Sequence, residues 1–121
     1  MKIYVTNNPL VKDKIDSDKY NKVVFIDGTY KDVLIKSRTM VHSGDKLLTH
    51  PLTSSIKPNE TPYKTVILEN RNSSEVDLPS LEIIENSILV FDKFQNSKKT
   101  PIYIESVNQD FMLIDYDIIK N

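Results

Sequence analysis

The most constraining stretch of the chain is a continuous apolar run, VVFI, at residues 23–26. Its β-branched and aromatic side chains do not alternate with polar ones, which is typical of a strand buried on both faces, as in a parallel sheet covered by helices. Three other short apolar runs lie at residues 3–5, 47–48 and 65–68. We therefore expect a layered fold built on a sheet of about four short strands.

Helical patterns alternate with these strand-like runs. Asn8 stands before a proline and suits the N-cap of a short helix. Thr29 and Asp32 have the spacing of a capping box at the start of a second helix, and Gly44 lies where the left-handed residue after that helix is expected. From residue 77 onwards, apolar residues recur at spacings of three and four, which predicts two further amphipathic helices.

The predicted order of elements is strand, short helix, strand, helix, strand, long loop, strand, helix, helix. This order predicts an α/β fold, with residues 1–121 forming one small Rossmann-like domain whose mainly parallel sheet is flanked by helices. The direction of the fourth strand stays open. The loop before it is long enough for a crossover but has no helical periodicity.

Composition excludes several classes of function. The 16 lysines and arginines against 17 acidic residues give a net charge of −1, and the lysines are scattered along the chain. Nucleic-acid binding needs clustered positive charge, so no such partner is expected. The chain has no cysteine, which excludes disulfides, thiolate catalysis and cysteine-ligated metals. Its two histidines stand in different settings, and we expect no metal site and no cofactor.

The apolar runs also bear on location. None approaches the length of a membrane span, and the run near the N-terminus is too short for the apolar region of a signal peptide. We therefore expect a cytoplasmic protein that has no membrane partner.

The ends of the predicted strands carry mostly polar residues. In a parallel sheet these ends lie at one edge, where ligands usually bind, and two predicted helices would begin there with N-termini that favour an anion. The candidate ligand-binding residues at this edge are Thr6, Asn7, Asn8, Gly28, Thr29 and Thr49. The alternative is that Asn7, Asn8, Asp27 and Thr29 serve mainly as capping and turn residues.

Residues 51–64 predict a long loop. Loops of this length without secondary structure are uncommon in compact domains and are often functional. Three prolines restrict its backbone, and it has no glycine, so we expect its side chains, rather than a P-loop backbone, to contact a carboxylate or phosphate. The candidate residues are Ser54, Ser55, Lys57, Asn59, Thr61 and Tyr63. A rigid crossover or a protein-docking patch is the alternative.

His50 follows the third predicted strand and precedes a proline, which favours an extended backbone at this histidine. A histidine held in this way is suited to act as a general acid or base, with Asp27 as a second candidate catalytic residue. No serine–histidine–acid motif accompanies it. A structural hydrogen bond made by His50 is the alternative.

Four segments resemble the GrdX family: VTNNPL at residues 5–10, VFIDGT at 24–29, KLLTHPL at 46–52 and IKPNETPY at 56–63. Residues 81–85, LEIIE, also fit, so the resemblance covers roughly residues 3–86. GrdX-family proteins are small and are encoded beside the glycine, sarcosine and betaine reductase components of amino-acid-fermenting anaerobes. The resemblance implies a role in or near a selenoprotein reductase pathway, and it carries no catalytic residues across.

Two functions are consistent with these observations. We favour a non-catalytic accessory protein of the reductase system, which would bind a small anionic metabolite or a partner such as a glycine reductase component through the strand ends and the 51–64 loop. The alternative is a small enzyme in which His50 acts as acid or base, Asp27 or Asn7 orients it, and Lys57 holds an anionic substrate. A homodimer formed through the apolar face of the last two helices is also consistent with the sequence.

Overall fold

The computed structural model describes residues 1–120 and contains, in that range, four strands and four helices. Their bounds are β1 Lys2–Thr6, α1 Pro9–Lys14, β2 Asn21–Phe25, α2 Tyr30–His42, β3 Lys46–Leu47, β4 Thr65–Glu69, α3 Leu78–Ser97 and α4 Glu105–Ile119. The order of strands and helices agrees with the order predicted from the sequence. No helix among these residues is long and apolar enough to cross a membrane.

The first two helices begin where the capping signals indicate. The Asn8 side chain accepts the Leu10 N–H at 3.0 Å at the start of α1. At the start of α2, the Thr29 hydroxyl accepts the Asp32 N–H at 3.2 Å, and the Asp32 carboxylate accepts the Thr29 N–H at 2.9 Å. Gly44 follows α2 with a φ of 109°. The predicted N-cap, capping box and left-handed glycine are therefore confirmed.

The sheet is mixed, and the prediction of a mainly parallel sheet is wrong. The strand order is β2-β1-β4-β3. β1 and β2 are parallel, whereas β4 runs antiparallel to both β1 and β3. β3 runs towards the edge of the sheet at which β4 begins, so the intervening loop turns back at that edge and needs no crossover helix. This explains why the 51–64 loop has no helical periodicity.

β2 lies at one side of the sheet, and its residues are only partly buried. The apolar run that predicted a strand buried on both faces belongs instead to an edge strand whose two faces are each partly covered. Val24 packs against one core cluster and Val23 against the other. The free edge is covered by the preceding turn, where the Ser17 hydroxyl accepts the Val23 N–H at 3.2 Å.

Helices cover both faces of the sheet. Because successive side chains of a strand point to opposite faces, Ile3 and Val5 of β1 pack with α2 and α3, while Tyr4 packs with α1 and α4. β4 alternates in the same way, with Val66 on the first face and Ile67 on the second. The two central strands thus hold two apolar clusters together.

α2 and α3 pack antiparallel on one face. The rings of Tyr30 and Phe91 lie 4.9 Å apart at the start of α2, and His42 Nε2 lies 3.4 Å from Glu85 Oε1 at its end. α2 therefore begins, and α3 ends, at the edge of the sheet where β1 and β2 end.

Candidate functional site

Three strands define the edge at which the site lies, which we call the Thr6 edge. β1 ends there at Thr6, which pairs with Phe25 of β2 and with Thr65 of β4. β4 begins at this edge. β3 runs towards it but ends at Leu47, which pairs with Leu68 and is therefore level with Ile3. The predicted convergence holds for the ends of β1 and β2, whereas the third strand ends short of them. Residues 69–71, at the end of β4 and directly after it, lie at the opposite edge.

Asn7 joins three segments at the Thr6 edge. Its amide nitrogen donates to the carbonyl oxygens of Gly28 at 3.1 Å and Pro62 at 2.8 Å. Its side-chain oxygen accepts the Lys64 N–H at 2.9 Å. Asn7 is buried. Its side chain therefore holds the turn before α2 and the end of the 51–64 loop against the end of β1.

A buried polar network lies beside Asn7, on the α4 side of the sheet. Asp115 of α4 accepts hydrogen bonds from the Thr65 N–H at 3.0 Å, the Thr65 hydroxyl at 2.7 Å and the Asn8 amide at 3.0 Å. The Thr6 and Thr65 hydroxyls are 2.7 Å apart. Since the Thr65 hydroxyl donates to Asp115, the Thr6 hydroxyl is the donor to Thr65. Thr6 and Asn8, two candidate ligand-binding residues, thus have structural partners here.

Asp115 was missed by the reading of the sequence. It lies four residues after Phe111 and three before Ile118, so it falls on the apolar stripe of its own helix. An acidic residue at such a position is almost never buried without partners. Its position on the apolar stripe is the sequence feature that indicates a buried, hydrogen-bonded carboxylate.

Lys64, at the end of the 51–64 loop, is a second buried charged residue. It is 3% exposed, and its Nζ donates to the Thr53 carbonyl of the loop. Burial lowers the pKa of Lys64 to about 8, although Asp115 acts in the opposite direction. Lys64 and Asp115 line an enclosed recess of about 10 Å³, which has room for at most one water molecule.

A larger cleft, of about 680 Å³, opens at the Thr6 edge between the start of α2, the end of α3 and residues 61–63. Five of the candidate ligand-binding residues line it: Asn7, Gly28, Thr29, Thr61 and Tyr63. Its volume lies within the range typical of small-molecule sites. The structure therefore brings these five residues together around one cavity.

The charged residues of this cleft are Lys31, Asp92 and Lys99. Lys31 Nζ and Asp92 Oδ1 lie 2.8 Å apart across the two helices. Lys99 is exposed in the segment after α3. Burial raises the pKa of the Tyr63 phenol, and Glu105 raises it further. With two lysines against one aspartate and the start of α2 at the cleft, the arrangement can hold an anionic group.

Three other candidates make structural hydrogen bonds outside the cleft. The Thr49 hydroxyl accepts the Ile67 N–H at 3.0 Å, and the Ser54 hydroxyl accepts the Ile56 N–H at 3.0 Å. The Asn59 amide donates to the Lys98 carbonyl at 2.9 Å, just beyond the end of α3. Ser54 also lines the small recess. The loop thus packs against α3 through Asn59.

Ser55 and Lys57 are exposed on the loop and do not line the cleft. The backbone N–H of Lys57 donates to Glu60 Oε1 at 3.3 Å, which forms a local turn. A ligand contact by either side chain remains a prediction.

His50 and Asp27, the candidate catalytic residues, are both exposed and lie outside the cleft lining. His50 Nδ1 accepts the Leu52 N–H at 3.1 Å, which is the kind of structural hydrogen bond that the sequence left open. Within residues 1–120, no hydrogen bond or ion pair joins His50 to Asp27. Their acid–base role stays a prediction.

Metal ligands do not cluster in the structure. Among the described residues, no group of three or more histidine, cysteine, aspartate or glutamate side chains could hold a metal ion.

The family model described as GrdX-like protein matches residues 3–121. The match extends past the region of resemblance at residues 3–86 and includes α3 and α4, and therefore the helix that carries Asp115. No curated protein and no solved structure gives a significant match to the chain.

Proposed function

Because the chain belongs to the GrdX-like protein family, we propose that it is a non-catalytic accessory protein of the glycine, sarcosine and betaine reductase system. It binds a small anionic metabolite in the cleft at the Thr6 edge. Family membership supports the association with glycine reductase systems. The observation that carries the binding role is the cleft itself. Its lining contains five of the residues that the sequence predicted to bind a ligand.

The charges around the cleft support an anionic ligand. At the start of α2, the N–H groups of Tyr30 and Lys31 have no partner within the helix and carry partial positive charge, while the Asp32 carboxylate of the capping box lies beside them and offsets part of it. Asp92 offsets the charge of Lys31. Lys99 makes no ion pair with any described residue. The excess of one positive charge in the lining is therefore carried by a lysine that is free to contact a ligand.

The surroundings of His50 support binding without catalysis. An acid–base mechanism needs the histidine within hydrogen-bond reach of the bound molecule. His50 lies outside the cleft lining, and its Nδ1 already accepts the Leu52 N–H. The polar atoms of Asn7, the other residue considered for orienting a base, hold the 51–64 loop and the turn before α2.

A thermal-shift panel tests this proposal. The panel contains glycine, sarcosine, betaine, acetyl phosphate, phosphate and nucleotides. It is run on the wild type and on Lys99→Met, with Lys98→Met as the matched control, because Lys98 is exposed next to Lys99 but does not line the cleft. His50→Ala is measured in parallel.

We expect at least one anionic compound to raise the Tm in a concentration-dependent way, as a ligand that binds only the folded state does. Lys99→Met should weaken this effect, whereas Lys98→Met and His50→Ala should behave like the wild type. A shift that is lost in His50→Ala and kept in Lys99→Met would contradict the cleft and favour the enzyme. No shift with any compound would contradict the small-ligand role and leave a reductase component as the binding partner to test.

A further inference from the structure

We propose that the anionic ligand of the cleft also carries an ammonium group, which Asp92 holds. The ligand is then a small amino-acid-like zwitterion, bound with its carboxylate towards Lys99 and the start of α2. This inference rests on the proposed function, because it assigns the chemical class of the ligand bound in the same cleft.

The placement of Asp92 is the reason for this inference. A cleft built only for an anion is weakened by a carboxylate in its wall, since like charges repel. Asp92 lines this cleft, and its side chain is 39% exposed. Its Oδ1 accepts Lys31 Nζ at 2.8 Å, while its Oδ2 makes no hydrogen bond within residues 1–120. A carboxylate accepts several hydrogen bonds, so Oδ2 is available to an ammonium group of the ligand.

The end of α3 lies on the same side of the cleft as Asp92. Gln95 and Asn96, in the last turn of α3, line the cleft. The carbonyl groups at a helix C-terminus carry partial negative charge and favour a cation. The two lysines that follow the helix, Lys98 and Lys99, offset this charge. Asp92 is therefore the group on the α3 side of the cleft that can hold a cation.

The antiparallel packing of α2 and α3 places the two kinds of environment next to each other. Lys31 lies in the first turn of α2 and contacts Asp92 directly, so the region that favours an anion is one ion pair away from the carboxylate that favours a cation. A short molecule can reach both.

Aromatic rings complete the wall. Tyr30, Tyr63 and Phe91 line the cleft. Alkylammonium groups bind favourably over the faces of such rings. Tyr30 and Phe91 are buried and pack against each other, so Tyr63 is the ring of this wall that an ammonium group can contact.

The test compares probes that carry one or both of the two charged groups. Acetate supplies a carboxylate alone, methylammonium a cation alone, and glycine both. Dissociation constants come from NMR titrations of the ¹⁵N-labelled protein. The comparison on the wild type needs no variant. We expect glycine to bind about two- to fivefold more tightly than acetate, the range expected for one partly exposed charge pair.

Asp92→Asn sharpens the test, because it should change the two affinities in opposite directions. It removes the partner of the ammonium group and frees Lys31 from its ion pair. Glycine should then bind about two- to fivefold more weakly and acetate about twofold more tightly. Asp110→Asn changes the net charge equally at an exposed residue of α4 outside the cleft lining, and should leave both affinities nearly unchanged.

The outcomes separate this inference from the proposed function. If acetate binds in the cleft but glycine binds no more tightly, or if Asp92→Asn changes both affinities in the same direction, the zwitterion is wrong and the anion site stands. If neither acetate nor glycine binds, and phosphate and acetyl phosphate also fail, both proposals are wrong.

Discussion

Asp115 accepts two hydrogen bonds from Thr65, one from its backbone N–H at 3.0 Å and one from its hydroxyl at 2.7 Å. The contact joins the last helix to the first residue of β4, and both residues are buried. Because Asn8 donates to the same carboxylate, the start of α1, the start of β4 and the middle of α4 are positioned together. This network forms the rigid support behind the Thr6 edge.

Asp115→Asn should therefore destabilise the protein strongly. The amide replaces one of the two accepting oxygens by a donor, so that at least one buried donor of Thr65 or Asn8 loses its partner. We expect the free energy of unfolding to fall by roughly 2–4 kcal/mol, measured by urea denaturation. Asp117→Asn, at an exposed residue of the same helix paired only with Lys120, should change it by less than about 0.5 kcal/mol. Equal effects for the two variants would contradict this role of Asp115.

Asn7→Ala should loosen the end of the 51–64 loop. The substitution removes three hydrogen bonds and leaves the buried Lys64 N–H without its side-chain acceptor. We expect a loss of roughly 2–3 kcal/mol in the free energy of unfolding, together with faster amide hydrogen exchange at Thr61, Tyr63 and Lys64. Asn86→Ala, at an exposed position of α3, is the control and should change neither quantity appreciably. Unchanged exchange at Thr61, Tyr63 and Lys64 would show that Asn7 does not hold the loop.

Lys64 predicts a pH dependence of stability with a definite sign. Burial lowers its pKa from 10.5 to about 8, so the unfolded chain binds the proton more tightly than the folded one. The free energy of unfolding of the wild type should therefore rise between about pH 8 and pH 10.5, by roughly 3 kcal/mol relative to Lys64→Met, which cannot titrate there. Urea denaturation of both proteins across this interval measures the difference. A constant difference, or one that falls with pH, would contradict the burial of the charged form.

The two glycines should respond differently to alanine. At Gly44, φ is 109° and a Cβ would overlap the backbone carbonyl of Ser73, which cannot move alone. Gly44→Ala should cost roughly 2–4 kcal/mol of unfolding free energy. At Gly28 a Cβ would meet only the Asp32 carboxylate, a flexible side chain, and we expect a loss of about 1 kcal/mol through the capping box. Thermal or urea unfolding of both variants checks the order, and the reverse order would be inconsistent with this backbone geometry.

The features that the sequence predicted correctly depend on neighbours a few residues apart. The N-cap at Asn8, the capping box of Thr29 and Asp32, and the left-handed Gly44 are decided by the local chain. The direction of β4 depends on the pairing of Thr65 with Thr6, far away along the sequence. A loop that allows either direction contains no information about that pairing, and for this reason the mixed sheet was not predicted.

In the cleft, too, some residues are positioned by local features of the chain and others by long-range packing. Asn7, Gly28 and Thr29 follow strand ends, and the geometry of neighbouring parallel strands places such residues at one edge. Lys31 and Asp92 meet only because α2 and α3 pack antiparallel. No local pattern in either helix indicates that contact. The sequence alone therefore could not predict that these charged residues meet at the cleft.

The most direct test of the central claim is an NMR titration of the ¹⁵N-labelled wild type with acetate. The account predicts saturable shifts of the amide signals of Gly28, Thr29 and Lys31, which line the cleft at the start of α2. In Lys99→Met the same shifts should need at least about threefold more acetate, while Lys98→Met should titrate like the wild type. Shifts confined to the surroundings of His50, or no saturable shift at all, would contradict an anion site in the cleft.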